Sequence, residues 1–186
     1  MNILIVGKSD LGIATQKLCG GIVVGRPQYD LSKEGSCNKL LQDHNPDCVV
    51  LTQGILGKLS TPWEMSTVNY TSMVHLIACF YNKMTQGQII VVSSATTAWT
   101  SWPGIDMDRL VYACNKEALS SFCKNLNRKN IPSQPEKDVS IQVYEPNAFA
   151  SKMNSNGVNI DIAAKELKYL IENPRISMLQ GLNRFA

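Results

Sequence analysis

"ILIVGKSDLGIA", residues 3 to 14, sets an apolar run, Ile3–Val6, against a glycine-punctuated turn and then a helical pattern from Leu11 to Leu18. Four consecutive apolar, β-rich residues read as a strand buried on both faces, because successive strand side chains point to opposite sides. Gly7, Ser9 and Gly12 occupy the positions of a G-x-G-x-x-G turn, with serine at the middle glycine. Such a strand-to-helix turn, with Lys8 and Leu11 beside its glycines, lets backbone N–H groups and a helix N-terminus approach a pyrophosphate. A chain that merely reverses tightly uses the same residues. The rest of the sequence has to choose.

The strand-then-helix pattern repeats along the chain. Ile22–Val24 is a second short strand, ended by Gly25–Arg26–Pro27, and a helical stretch runs from Glu34 to Asp43 before Asn45–Pro46. Cys48–Leu51 is a third strand, "TQGILGKLS" a loop, and Pro62 to Met84 one long helix with Thr61 as its cap. "QIIVVSS" (88–94) is the most hydrophobic strand, and a helix from about Asp108 to Asn127 follows a loop holding Trp99 and Trp102. "VSIQVYEP" (139–146), a helix from Ile160 to Glu172 and a short closing strand in "ISMLQG" complete the chain. Strands alternating with helices, several of them unbroken apolar runs, predict an α/β protein: a doubly wound parallel sheet covered by helices on both faces.

Bulk composition narrows the function. The 186 residues fit one domain, 1–186, and 44% hydrophobic with 18% charged residues is ordinary for a globular protein. A net charge of +3, without a Lys/Arg cluster, gives no reason to expect nucleic acid or an anionic membrane as partner. Six cysteines show no C-x-x-C pair and no metal-ligand spacing with His44 or His75. They read as reduced, which favours the cytoplasm, and no apolar run reaches the roughly 20 residues of a membrane span. A small molecule is the expected partner, and no metal is expected.

Two Tyr-x-x-x-Lys spacings occur, Tyr29–Lys33 in "YDLSK" and Tyr112–Lys116 in "YACNK". With 6 tyrosines and 13 lysines, chance gives about 0.4 such pairs, so spacing alone decides nothing. Four residues apart on a helix, the two side chains share one face. Such a pair is either a solvated face or a proton-transfer pair.

Taken together, the glycine turn, "VNYTS", "IIVVSS", "YACNK" and "YEPNAFASKM" occur in an order that resembles the short-chain dehydrogenase/reductase family over nearly the whole chain. The resemblance implies a Rossmann-type fold and an NAD(P)(H)-dependent interconversion of a carbonyl and an alcohol. It selects Tyr112–Lys116, which follows the serine-bearing strand, over Tyr29–Lys33 in an early loop. Under it, Tyr112 would be the general acid or base, and Lys116 would hold the nicotinamide ribose and favour the tyrosinate. Ser94, with Ser93 as fallback, would polarise the carbonyl, and Asn69 would help hold a water linking Lys116 to solvent. Gly54 matches the glycine of an Asn-Ala-Gly motif, Pro146 and Asn147 stand for a Pro-Gly pair, and Ser151 matches a carboxamide contact.

The chemistry requires these types: a proton donor at the carbonyl oxygen and a dipole that polarises it. A free tyrosine titrates near ~10, so a cation within reach is needed to bring it toward neutrality. At the second strand end, Gly25–Arg26 stands where an acidic residue would favour NAD. Arg26 and Lys8 are either 2′-phosphate ligands, which makes NADP(H) the favoured cofactor and NAD(H) the alternative, or solvated cations. Asp30, with Leu31 beside it, resembles a carboxylate facing the adenine amino group. A shortened segment after Ser151, with Ser9 and Asn147, keeps a non-catalytic dinucleotide-binding regulator in view, and the abbreviated segment between the second strand and Asp30 resembles that of a nucleotide-sugar reductase or epimerase. A homodimer or homotetramer is expected, because Met73, Leu76, Ile77 and Phe80 exceed one buried stripe.

Overall fold

A computed structural model describes residues 1–56, 60–95, 104–128, 137–146, 159–174, 176 and 178–180. Six strands, β1 (Ile3–Val6), β2 (Ile22–Val24), β3 (Cys48–Leu51), β4 (Gln86–Val92), β5 (Asp138–Glu145) and β6 (Met178–Gln180), form one sheet in the order β2-β1-β3-β4-β5-β6. Every pairing is parallel. The helices are α1 (Asp10–Cys19), α2 (Glu34–Asp43), α3 (Pro62–Ser66), α4 (Ser72–Lys83), α5 (Met107–Arg128) and α6 (Ile160–Glu172).

The expected doubly wound architecture follows from the alternation of side chains. Leu4, Val6, Val49, Leu51, Ile89 and Val91 point to one face, where Leu40 of α2, Leu76 and Phe80 of α4 and Leu119 of α5 close over them. Ile3, Ile5, Cys48, Val50, Ile90 and Val92 point to the other, under Leu11 of α1 and Leu167 and Leu170 of α6. Each fully buried aliphatic chain contributes about 1.5–3 kcal/mol, so neither helical layer is dispensable. Strand order turns at β1 and β3: β2 lies on one side of β1, and every later strand lies on the other. Parallel sheets hold their ligands above the carboxyl ends of the strands at such a reversal.

Local chemistry sets the element ends. Ser9 caps α1, its hydroxyl accepting from the Gly12 N–H at 3.1 Å, and Gly20 stops the helix at φ +73°. Thr61 caps α3, with Pro62 in its first turn, and Asn159 caps α6 by accepting from the Asp161 N–H.

The long helix expected over Pro62–Met84 is not continuous. A π-helical turn, Thr67–Thr71, separates α3 from α4. Hydrophobic periodicity is blind to one extra residue in a turn. Here Asn69, at its centre, gains two 2.8 Å hydrogen bonds to Ile55 that help to offset the poorer helical geometry.

A second correction concerns association. Met73, Leu76, Ile77 and Phe80 are all buried within the chain's own core, at 1% exposure or less. A helix packed against both a sheet and neighbouring helices needs a stripe this wide. These residues lend nothing to an interface between copies.

Candidate active site

The segment Thr52–Ile55, just past β3, ties the site together one residue at a time. Thr52 Oγ lies 3.2 Å from Gly7 O and 3.3 Å from Val6 O, and it accepts from the Ser9 hydroxyl at 3.3 Å. Gln53 offers its carbonyl to the Lys116 ammonium at 3.3 Å. Gly54 lies against the same ammonium: a β-carbon there would stand 3.5 Å from Lys116 Nζ. Ile55 is clamped by Asn69, whose Oδ1 accepts from its N–H while Nδ2 donates to its carbonyl.

The glycine turn owes its glycines to this packing. A β-carbon on Gly7, whose φ is +127°, would meet Thr52 Oγ at 2.7 Å, and one on Gly12 would meet Gly7 O at 2.2 Å. Both positions are closed to any side chain. Ser9 cannot leave the backbone as bare as a middle glycine would, because its hydroxyl caps the Gly12 N–H. The end of α1 keeps its partial positive charge and still attracts an anion. Lys8 is exposed there, its backbone N–H 3.0 Å from where a Gly25 β-carbon would lie. The turn and the end of β2 are therefore neighbours.

Arg26 follows, half exposed, and it is already engaged. Its Nε donates to Asp30 Oδ1 at 3.0 Å and its Nη2 to Glu64 Oε1 at 3.3 Å. Asp30 Oδ1 also accepts from the Ser32 N–H and hydroxyl. Leu31 packs its side chain into the core, which leaves its backbone for any ligand.

At the other end of Thr52–Ile55, Lys116 is the least expected feature. Its side chain is among the largest fully buried ones in the chain. The ammonium donates to Val92 O at 3.0 Å and to Gln53 O at 3.3 Å, and it lies 5.8 Å from the centre of the Tyr112 ring. No carboxylate pairs with it among the described residues. Burial brings its pKa down to about 8 and pushes the half-buried Tyr112 hydroxyl up to about 12. In the chain alone the lysine does not lower the tyrosine; further positive charge would be required.

The two serines separate cleanly. β4 ends at Val92, two residues earlier than expected, and Ser93 is buried with its hydroxyl donating to Lys116 O at 2.7 Å. That bond pins α5 to the strand end and consumes the fallback residue. Ser94 is half exposed and has no hydrogen bond among the described residues. Pro146 lies just past β5, and its carbonyl accepts from the Ala95 N–H at 3.1 Å. Asn147 and Ser151 lie outside the described residues, as do Trp99 and Trp102.

Tyr29 is a core residue. It is 1% exposed, and its hydroxyl donates to Asp43 at 2.7 Å and lies 3.3 Å from His44 Nε2, while Lys33 is exposed before α2. His44 is accordingly structural. His75 pairs with Asn38 at 3.1 Å. The six cysteines are free, and no cluster of metal-ligating side chains is present among the described residues. No described helix is long and apolar enough to cross a membrane.

Sequence reasoning missed Thr52, Glu64 and the carbonyls of Gln53 and Val92. Thr52 carried a signal only as a departure from Asn-Ala-Gly, and the capping-box pattern "TPWE" pointed Glu64 at its own helix. Backbone carbonyls leave no trace in a sequence.

Comparison with protein-family models finds no match, and comparison with curated proteins finds none. Solved structures are similar in fold. A short-chain dehydrogenase from Sphingobium yanoikuyae in complex with NADPH superposes with a TM-score of 0.79 at 12% identity, covering 97% of this chain and 87% of that one. A dehydrogenase/reductase from Sinorhizobium meliloti gives 0.78 at 16%, covering 97% and 93%. A 3-alpha-hydroxysteroid dehydrogenase from a Pseudomonas species, complexed with NADH, gives 0.74 at 18%, covering 97% and 96%.

Proposed function

We propose that this chain is an oxidoreductase that interconverts a carbonyl and an alcohol on a small molecule with NADP(H), and with NAD(H) as the alternative cofactor. The buried ammonium of Lys116 carries the reading. Burying a cation without a carboxylate partner costs several kcal/mol, and such a cost is typical of functional sites. Lys116 spends two of its three N–H donors on carbonyls, so one remains for a hydroxyl of the nicotinamide ribose. The Gly7–Gly12 turn and the N-terminus of α1 suit a pyrophosphate, with Asp30, Leu31 and Arg26 near the adenosine end. Pro146, Asn147 and Ser151 complete the proposed cofactor contacts.

The bound nicotinamide would supply or accept the hydride. In reduction, the Tyr112 hydroxyl gives its proton to the substrate oxygen as that oxygen gains charge, and in oxidation tyrosinate takes it back. Ser94 donates a hydrogen bond to the same oxygen and polarises it. Lys116, 5.8 Å from the centre of the Tyr112 ring, would favour the tyrosinate only together with the positive charge of a bound oxidised nicotinamide. Asn69 acts through Ile55, holding the Gly54 backbone beside the ammonium.

The test is a panel of small aldehydes, ketones and alcohols followed at the nicotinamide absorbance. Tyr112→Phe deletes one hydroxyl, so turnover falls by about 10²-fold or more while cofactor affinity stays within about twofold. A raised Tyr112 pKa favours a second reading, in which the chain binds the dinucleotide without turning over. Tight cofactor binding with no activity across the panel would establish that reading instead.

A further inference from the structure

Glu64 stands at the third position of α3, directly after the Thr61-Pro62-Trp63 start. A Thr-x-x-Glu sequence normally folds its glutamate back onto the N–H of the capping threonine. Half of that exchange is present: Thr61 Oγ accepts from the Glu64 N–H at 3.1 Å. The glutamate side chain instead reaches 38 residues back along the chain to Arg26 Nη2. Arg26 thus pairs with two carboxylates, Asp30 four residues along its own segment and Glu64 on α3. Lys8 and Arg26 bring two positive charges to this corner, and Asp30 and Glu64 bring two negative ones.

We infer that Glu64 is a specificity-determining residue that competes with a cofactor 2′-phosphate for the Arg26 guanidinium. The inference rests on the proposed dinucleotide site and goes beyond it. Glu64 holds an Arg26 Nη2 donor and lies against the guanidinium, so a 2′-phosphate dianion that takes the remaining donors must share the cation with a carboxylate that repels it, or displace that carboxylate. A free ribose hydroxyl meets neither cost. Glu64 therefore reduces the preference for NADPH over NADH that Arg26 and Lys8 create, and it does so specifically through Arg26.

Glu64→Gln keeps the side-chain length and the Thr61 cap while removing the charge. Dissociation constants for NADPH and NADH, measured by the quenching of intrinsic fluorescence, are compared in wild type, Glu64→Gln, Arg26→Ala and the double variant. Glu64→Gln is expected to bind NADPH about two- to fivefold more tightly, the range of a half-exposed charge pair, with NADH unchanged. The gain shrinks as salt is raised and disappears in the Arg26→Ala background. Unchanged NADPH affinity, an equal gain for NADH, or a gain that persists without Arg26 would overturn the role of Glu64 while leaving the dinucleotide site standing. If wild type binds neither cofactor, the proposed function fails and the inference fails with it.

Discussion

At the scale of single residues, the buried ammonium of Lys116 carries a cost in stability. A fall in its pKa from 10.5 to about 8 on folding corresponds to about 3 kcal/mol favouring the neutral amine. Below pH 8 both folded and unfolded chains carry the proton, so the cost of burying the cation is fully present. Between pH 8 and 10.5 the folded chain has released the proton and the unfolded chain still holds it, so stability rises with pH in that window. Lys116→Met removes the titration. Urea unfolding at pH 7.5 and 10 is expected to show wild type gaining on Lys116→Met by ~2–3 kcal/mol, and parallel pH dependences would contradict the buried cation. Tyr29 provides the opposite case. Its ring lies in the core and its hydroxyl donates to the exposed Asp43, so Tyr29→Phe should cost about 1 kcal/mol of stability and leave turnover per folded molecule unchanged. A large loss of turnover would mean that the two Tyr-x-x-x-Lys pairs had been assigned the wrong way round.

At the scale of elements, four residues after β3 connect what would otherwise be two separate half-sites. Thr52 is locked to the glycine turn, and Gln53, Gly54 and Ile55 are locked to α5 and to the π-helical turn between α3 and α4. The glycines along this path are not equivalent. Gly12→Ala drives a β-carbon to 2.2 Å from Gly7 O and should cost about 2 kcal/mol or more, read as a lower thermal midpoint. Gly54→Ala meets only ordinary contacts, 3.5 Å or longer. That variant should keep its thermal midpoint within about 2 °C, yet its methyl covers the ammonium and weakens cofactor binding about tenfold. Equal destabilisation by the two substitutions would show that Gly54 serves packing rather than ligand access.

Considered as a whole molecule, the chain is a parallel sheet whose strand order reverses with one short strand, β2, beyond β1. The site lies along that reversal, so a ligand there would bridge the β1–β2 end and the β3–β4 end of the sheet. Binding should therefore stabilise the molecule globally. NADPH at about 100 times its dissociation constant adds ~2.7 kcal/mol, a rise of about 5–10 °C in the midpoint for a chain of this size. Differential scanning fluorimetry checks this, and the absence of any shift with either nicotinamide dinucleotide would remove the basis of the proposed function. Self-association has no support from α4, whose apolar residues are committed to the core, and light scattering against the 20.5 kDa chain mass measures it directly.

What the sequence determined alone is the part governed by short-range rules. Unbroken apolar runs such as Cys48–Leu51 read as buried strands, and Thr61 before Pro62 marked a helix start. The proximity of Tyr112 and Lys116 follows from helical spacing, whereas the burial of Tyr29 left no mark in its early-loop context. Tertiary structure decided whatever depends on partners distant in the chain. Periodicity did not reveal the π-helical turn, because the partner that its Asn69 bonds, Ile55, lies on another segment. Local pattern directed Glu64 to Thr61, but the fold brought it to Arg26, a longer-range partner of opposite charge. The burial of Lys116 between two backbone carbonyls was equally invisible, since carbonyls belong to every residue and only the packed chain selects which of them face a cation.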